Sequence, residues 1–192
     1  MSRTEEEPNV SRPLPVIICP GFHQADLTAG FVRSLPAFVR PLVVDTFCVD
    51  ALAIFRWMTQ SIGTPTAQVS PVVAIGFSGG VVGIAGALKI WQQQNGRVSK
   101  LIAIDGWGMP LLGLPVCRLS HDSFTHWSSL PLGAGDVNFY ADPSVDHLRM
   151  WGEPKAVSGY AMNGWERHEG NGTNAAEFIA QVLKHLYADF NI

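Results

Sequence analysis

One segment constrains the fold more than any other. Val72-Val73-Ala74-Ile75-Gly76-Phe77 is an unbroken apolar run that stops at Ser78-Gly79-Gly80, and apolar residues resume from Val81 on a helical period. A run that is apolar at every position, rather than at alternate ones, marks a strand buried on both faces. Such a strand needs helices above and below it. Gly76-Phe77-Ser78-Gly79-Gly80 also reads G-x-S-x-G, which puts a serine on the sharp turn between strand and helix. The flanking glycines suit that turn because a side chain there would clash in so tight a reversal. Gly83 and Gly86 continue the spacing of small residues, so the helix is expected to approach the sheet closely. A phosphate-binding loop would instead carry the lysine of G-x-x-x-x-G-K-[ST], and the first lysine of this chain is Lys89.

The same alternation runs through the rest of the chain. Leu14 to Cys19 reads as a buried strand ending at Pro20-Gly21. Asp26 to Phe38 has a helical apolar face, with Asp26 as its expected N-cap. Leu42 to Phe47 reads as a strand, Asp50 to Ile62 as a helix, Gly63 to Pro71 as turns and Gly80 to Gln94 as the helix after the elbow. Val98 to Ile104 is a further strand, stopped by Asp105-Gly106. Trp107 to Gly135 is irregular and rich in proline, glycine, histidine and tryptophan. Strands at Asp136 to Ala141 and Lys155 to Ala161 and a helix at Asn174 to Phe190 complete the pattern. Strands alternating with helices predict a three-layer α/β/α sandwich around a mostly parallel sheet of about six strands. Residues 1–13 read as a disordered tail and 14–192 as one domain, with a short cap or roof loop at about 106–135.

Composition removes several classes of function. Of 192 residues, 47% are hydrophobic and 15% charged, enough for a sizeable core. Nine arginines and four lysines are scattered, with a net charge of -3, so the positive footprint that nucleic acid requires is missing. No apolar run is long enough to span a bilayer, and the polar start lacks the plan of a signal peptide. A cytoplasmic location is the expectation. Cys19, Cys48 and Cys117 show neither CxxC nor metal-ligand spacing, and no H-E-x-x-H occurs, so neither a metal site nor a cofactor is expected.

Taken together, Pro20-Gly21-Phe22-His23 after the first strand, the elbow at Ser78 and the final helix resemble the α/β-hydrolase family in its smallest, nearly lidless form. The resemblance covers most of the chain. It departs from the usual pattern in two places: proline stands where the first oxyanion loop often has histidine, and no Gly-His pair marks the base. The resemblance implies a nucleophilic Ser78 and an oxyanion hole formed by the backbone N–H groups of Phe22 and Gly79. It also implies the chain order serine, acid, histidine. Asp142, after the strand ending at Ala141, fits the acid, and His168, before the last helix, fits the base. Asp105 at the end of an earlier strand is an alternative acid, with Asp122 behind it. His126 in the roof loop and His147 are alternative bases, and His185 inside the last helix reads as structural.

The implied chemistry is hydrolysis of an ester or thioester of a small or hydrophobic acyl substrate, with no cofactor. His23, Trp107, Phe124 and Trp127 are the expected substrate contacts, since an apolar lip suits an acyl chain. Two other functions fit the same scaffold: a catalytically silent binding protein, and an acyltransferase or lyase.

Overall fold

The computed structural model describes residues 12–66, 70–106, 108–163, 166–167 and 172–190. In chain order the elements are β1 (Leu14–Cys19), α1 (Ala25–Ser34), β2 (Val39–Val43), α2 (Ala51–Ile62), β3 (Val72–Phe77), α3 (Gly79–Gln93), β4 (Val98–Ile104), β5 (Val116–Ser120), α4 (Ser123–Ser129), β6 (Val137–Ala141), α5 (His147–Gly152), β7 (Ser158–Asn163), β8 (Glu166–Arg167), β9 (Thr173–Asn174) and α6 (Ala175–Phe190). The strands form one sheet in the order β2-β1-β3-β4-β5-β6-β7-β8, with β9 pairing β7. Every pairing from β2 to β6 is parallel, and those of β7 with β6, β8 and β9 are antiparallel.

Alternate residues of each central strand feed two separate cores. In β1, Val16 and Ile18 face one side while Ile17 and Cys19 face the other. In β4, Ile102 and Ile104 oppose Leu101 and Ala103 in the same way. This two-sided burial explains why these strands read as continuous apolar runs. One core is closed by α1, α5 and α6, the other by α2 and α3, giving helices on both faces of the sheet. Trp151 locks the first core: it stacks on Phe31 at 3.7 Å and on Phe77 at 5.0 Å, joining α5 to α1 and β3. Truncating so fully buried an indole costs about 3–5 kcal/mol in typical cores.

Several expectations are corrected. The sheet has nine strands among the described residues rather than about six, because β8 and β9 are two-residue additions and β5 was not foreseen. Helix α1 stops at Ser34, four residues short of Phe38, with Leu35 extended at φ -70, ψ 150. Pro36 causes this, since the residue before a proline is pushed out of the helical region. Strand β2 consequently begins at Val39, and its Pro41 is tolerated because β2 is an edge strand. The N-cap of α1 is Gln24 rather than Asp26, whereas Asp50 caps α2 with its carboxylate on the N–H groups of Leu52 and Ala53. Pro154–Ala156 is a single 3-10 turn, so the strand expected from Lys155 starts at Ser158.

The largest correction concerns 106–135. Instead of a roof loop throughout, it contributes β5 to the middle of the sheet and α4 beside it. Met109, Leu111 and Leu114 of this segment pack into the second core. The three cysteines are buried free thiols. No helix among the described residues is long and apolar enough to cross a membrane. Residues 1–11 of the expected tail lie outside the described residues.

Candidate active site

The chain passes from β1 outward to β2, then back across β1 to β3. That reversal leaves a crevice beyond the carboxyl ends of β1 and β3, the place where open α/β sheets bind ligands. Ser78 stands at its edge, on the turn between β3 and α3. Its backbone adopts φ 51, ψ -123. A left-handed conformation at a non-glycine residue costs on the order of 1–3 kcal/mol and persists only where the surroundings impose it. Here they do. The Ser78 N–H donates to the Ile104 carbonyl at 2.9 Å, extending the sheet, and the Ser78 carbonyl accepts from Val81 N–H at 3.0 Å, opening the helix.

The glycines around the elbow differ in what they permit. A Cβ on Gly80 would strike the carbonyl oxygens of Cys19 and Pro20, and one on Gly76 would lie 2.8 Å from Ile84 Cγ2. A Cβ on Gly21 would come 2.9 Å from the Phe77 carbonyl and 3.1 Å from Ser78 Cβ, so the loop after β1 presses against the serine. Gly79 is less confined: the atoms nearest its added Cβ would be those of the Phe22 ring at 3.1 Å and Val49 at 3.4 Å. Gly83 and Gly86 admit close approach of α3 to the Cys48 backbone and to Ala51 of α2, rather than to the sheet.

Across a cleft of about 460 Å³ from Ser78 lie Asp105, His121 and His147, with Gly79, Val82 and Phe124 among the other lining residues. Asp105 immediately follows β4 and is buried, also at positive φ (51). His121 follows β5, and His147 opens α5 after the loop that follows β6, so parallel strands deliver all three to one end of the sheet. Asp105 Oδ2 lies 2.9 Å from His147 Nδ1, and Asp105 Oδ1 accepts the His121 backbone N–H at 2.9 Å. The His121 ring also comes close, with Nδ1 3.0 Å from Oδ1, but this contact lacks hydrogen-bond geometry. His121 Nε2 lies 3.1 Å from Asp122 Oδ2. His147 stacks on Phe77 with ring centres 4.7 Å apart, and the Val145 N–H bonds to the His121 carbonyl, tying the two loops together.

Burial alone would push the Asp105 carboxyl up, but the contacts with His121 and His147 outweigh it and hold the group below its ordinary value of 3.8. Its carboxylate in turn raises the His121 imidazole, against the opposing effect of burial. The site therefore favours an ionised aspartate.

No protein-family model matches this chain. Comparison with curated proteins likewise finds no match.

The expected site residues divide clearly. Ser78, Gly79, Asp105 and Phe124 line the cleft, and Phe22, 65% exposed, packs against Phe47 near the elbow. His23 lies beside Phe77 and Trp151, and lines a second hollow with Phe22 and Phe47. Asp142 is exposed at the end of β6 and is not among the residues lining the cleft. His126 is wholly buried against Tyr140 and Trp127, and neither ring nitrogen has a hydrogen-bond partner. His185 is exposed on α6, with Nδ1 2.8 Å from the Gln181 carbonyl. His168 and Trp107 lie outside the described residues. The functional candidate that sequence reasoning missed is His121. Its signal was the position just after β5, a strand concealed by Arg118 and Ser120 in an otherwise apolar run.

Proposed function

We propose that the protein is a serine hydrolase of the α/β-hydrolase type, cleaving esters or thioesters of small or hydrophobic acyl groups. Ser78 is the nucleophile, His147 the base and Asp105 the acid. The observation that carries this reading is the convergence on one cleft of a strained elbow serine and a half-exposed His147 paired with the buried Asp105.

Each residue has a definite task in this mechanism. With Nδ1 committed to Asp105, Nε2 is the nitrogen His147 has left for the serine proton. Asp105 fixes that tautomer and stabilises the imidazolium that forms when Ser78 Oγ attacks the carbonyl carbon. Returning the proton to the departing alcohol or thiol leaves an acyl-serine, which water, deprotonated by the same histidine, releases as the carboxylic acid. The backbone N–H groups of Gly79 and Phe22 would receive the oxyanion, each such donor being worth about 3 kcal/mol. Val82 and Phe124 make part of the cleft apolar, which suits an acyl chain, and the volume falls within the range of small-molecule sites.

The test is labelling with a fluorophosphonate probe together with hydrolysis of p-nitrophenyl esters. Wild-type protein should label and turn over, while Ser78→Ala should do neither and keep its fold. Undiminished turnover by Ser78→Ala would overturn the assignment.

A further inference from the structure

A triad needs one histidine on its acid, and Asp105 has two. The second, His121, is held from both ends: Nε2 lies 3.1 Å from Asp122 Oδ2, and Nδ1 lies 3.0 Å from Asp105 Oδ1. Nδ1 lies close to Oδ1 but off the axis along which the ring nitrogen would donate or accept. Nδ1 is buried and has no hydrogen-bond partner. A buried, unpartnered ring nitrogen this close to a carboxylate oxygen is a donor atom left free for a cation. Asp105, His121 and His147 each offer one ligand atom, and these atoms all lie within 4.8 Å of one another.

We propose that Asp105, His121 and His147 form a binding site for a divalent transition metal of the zinc type. Two imidazole nitrogens and a carboxylate oxygen are the donor set that such borderline ions prefer, whereas magnesium and calcium prefer oxygen alone. Ligand pairs around tetrahedral zinc lie about 3.3 Å apart for bonds of about 2.0 Å. His121 Nδ1 lies 3.0 Å from Asp105 Oδ1 and His147 Nδ1 2.9 Å from Oδ2, so each oxygen of the one carboxylate already stands near that distance from one imidazole. Asp122 supplies the carboxylate that metal-bound histidines commonly engage through their other nitrogen. The ligands come from three separate loops at the ends of parallel strands, so no sequence spacing announces them.

Binding has a consequence for activity that rests on the hydrolase reading. A metal ion at His147 Nδ1 takes the place of the proton shared with Asp105. The neutral ring then carries its proton on Nε2 and cannot accept one from Ser78. Zinc would be a reversible inhibitor acting through the base.

The experiment is calorimetric titration of zinc chloride into full-length protein freed of metal by chelator, with magnesium chloride as the control. Saturable binding of one zinc ion per chain is expected, with no magnesium binding. His121→Ala and His147→Ala should each weaken zinc binding by about tenfold or more. Asp122→Asn, which keeps a side chain able to cap α4, should weaken it by about tenfold. Ser78→Ala should bind zinc like wild type. Absence of zinc binding in wild type, the cation between Asp105 and His121 then being a proton only, would overturn the proposal. So would zinc binding unchanged in His121→Ala, His147→Ala and Asp122→Asn. Zinc should also suppress ester hydrolysis, and chelator should restore it. Failure of the hydrolase reading would leave the calorimetry intact, and failure of the metal site would leave hydrolysis intact.

Discussion

Asp105 and His147, 42 residues apart in the chain, meet at 2.9 Å between Oδ2 and Nδ1. The contact joins the turn after β4 to the start of α5, and a buried carboxylate anchors an imidazole that borders the same cleft as Ser78. Within the proposed mechanism it favours His147 over His126 as the base. His126 is sealed in the protein with no acid on either nitrogen, while His147 has its acid and borders the cleft.

Residues that act as one catalytic unit are strongly non-additive. His147→Ala should therefore lower kcat by several orders of magnitude, about as far as Ser78→Ala, and the double variant should be no worse. Steady-state ester hydrolysis by the three variants checks this. A near-normal rate for His147→Ala with an inactive His168→Ala would move the base to the position first expected from the sequence.

Asp105→Asn and Asp142→Asn separate the two candidate acids. Asp105→Asn should reduce kcat by about 10⁴-fold, as expected when the base is held in the wrong tautomer. Asp142→Asn should stay within about twofold of wild type, since surface changes away from a site have small effects. Equal losses in both variants would contradict the pairing.

The elbow glycines should respond unequally. Gly80→Ala drives a methyl into the Cys19 and Pro20 carbonyls and should destabilise the protein by about 1–3 kcal/mol or more, with loss of activity. Gly79→Ala meets mainly the exposed Phe22 ring, which can swing aside, and should cost under about 1 kcal/mol. Urea unfolding midpoints of the two variants make the comparison.

His126 gives the fold an acid-sensitive point. Burial, with the nearby positive charge of Arg118 adding to it, pushes its imidazole down to about 4 from 6.5. The unfolded chain binds the proton more tightly, so stability is full above about 6.5 and is lost as pH falls towards about 4. For one group shifted this far, the loss between pH 7.5 and 4.5 is on the order of 2–3 kcal/mol. His126→Phe removes the titrating group without breaking a hydrogen bond, and should flatten this limb relative to wild type. Asp105 acts lower still: its depressed carboxyl contributes stability above its ordinary range and loses it only in stronger acid. His121 acts in the opposite sense, contributing below pH 6.5 and losing that contribution as pH rises through its elevated folded value. The comparison of His126→Phe with wild type cancels both. Parallel urea curves at pH 7.5 and 4.5 would read the difference, and an unchanged pH slope in His126→Phe would refute it.

What the sequence determined by itself was local. β1, β3, β4 and the elbow were legible because a strand buried on both faces must be apolar at every position, and a strained turn must carry glycine where backbones touch. Gly76 in β3 and Gly80 in α3 are such close approaches, each two residues from Ser78. Which side chains share the cleft with Ser78 was decided by tertiary structure alone. Asp105, His121 and His147 sit on three loops whose convergence depends on the parallel order β3-β4-β5-β6, and no spacing along the chain encodes that order. β5 itself was hidden for the same kind of reason. A buried arginine looks impossible in a central strand until the carbonyls of Gly133, Met109 and Leu132 are seen folded around the Arg118 guanidinium, satisfying its donors with groups distant in sequence.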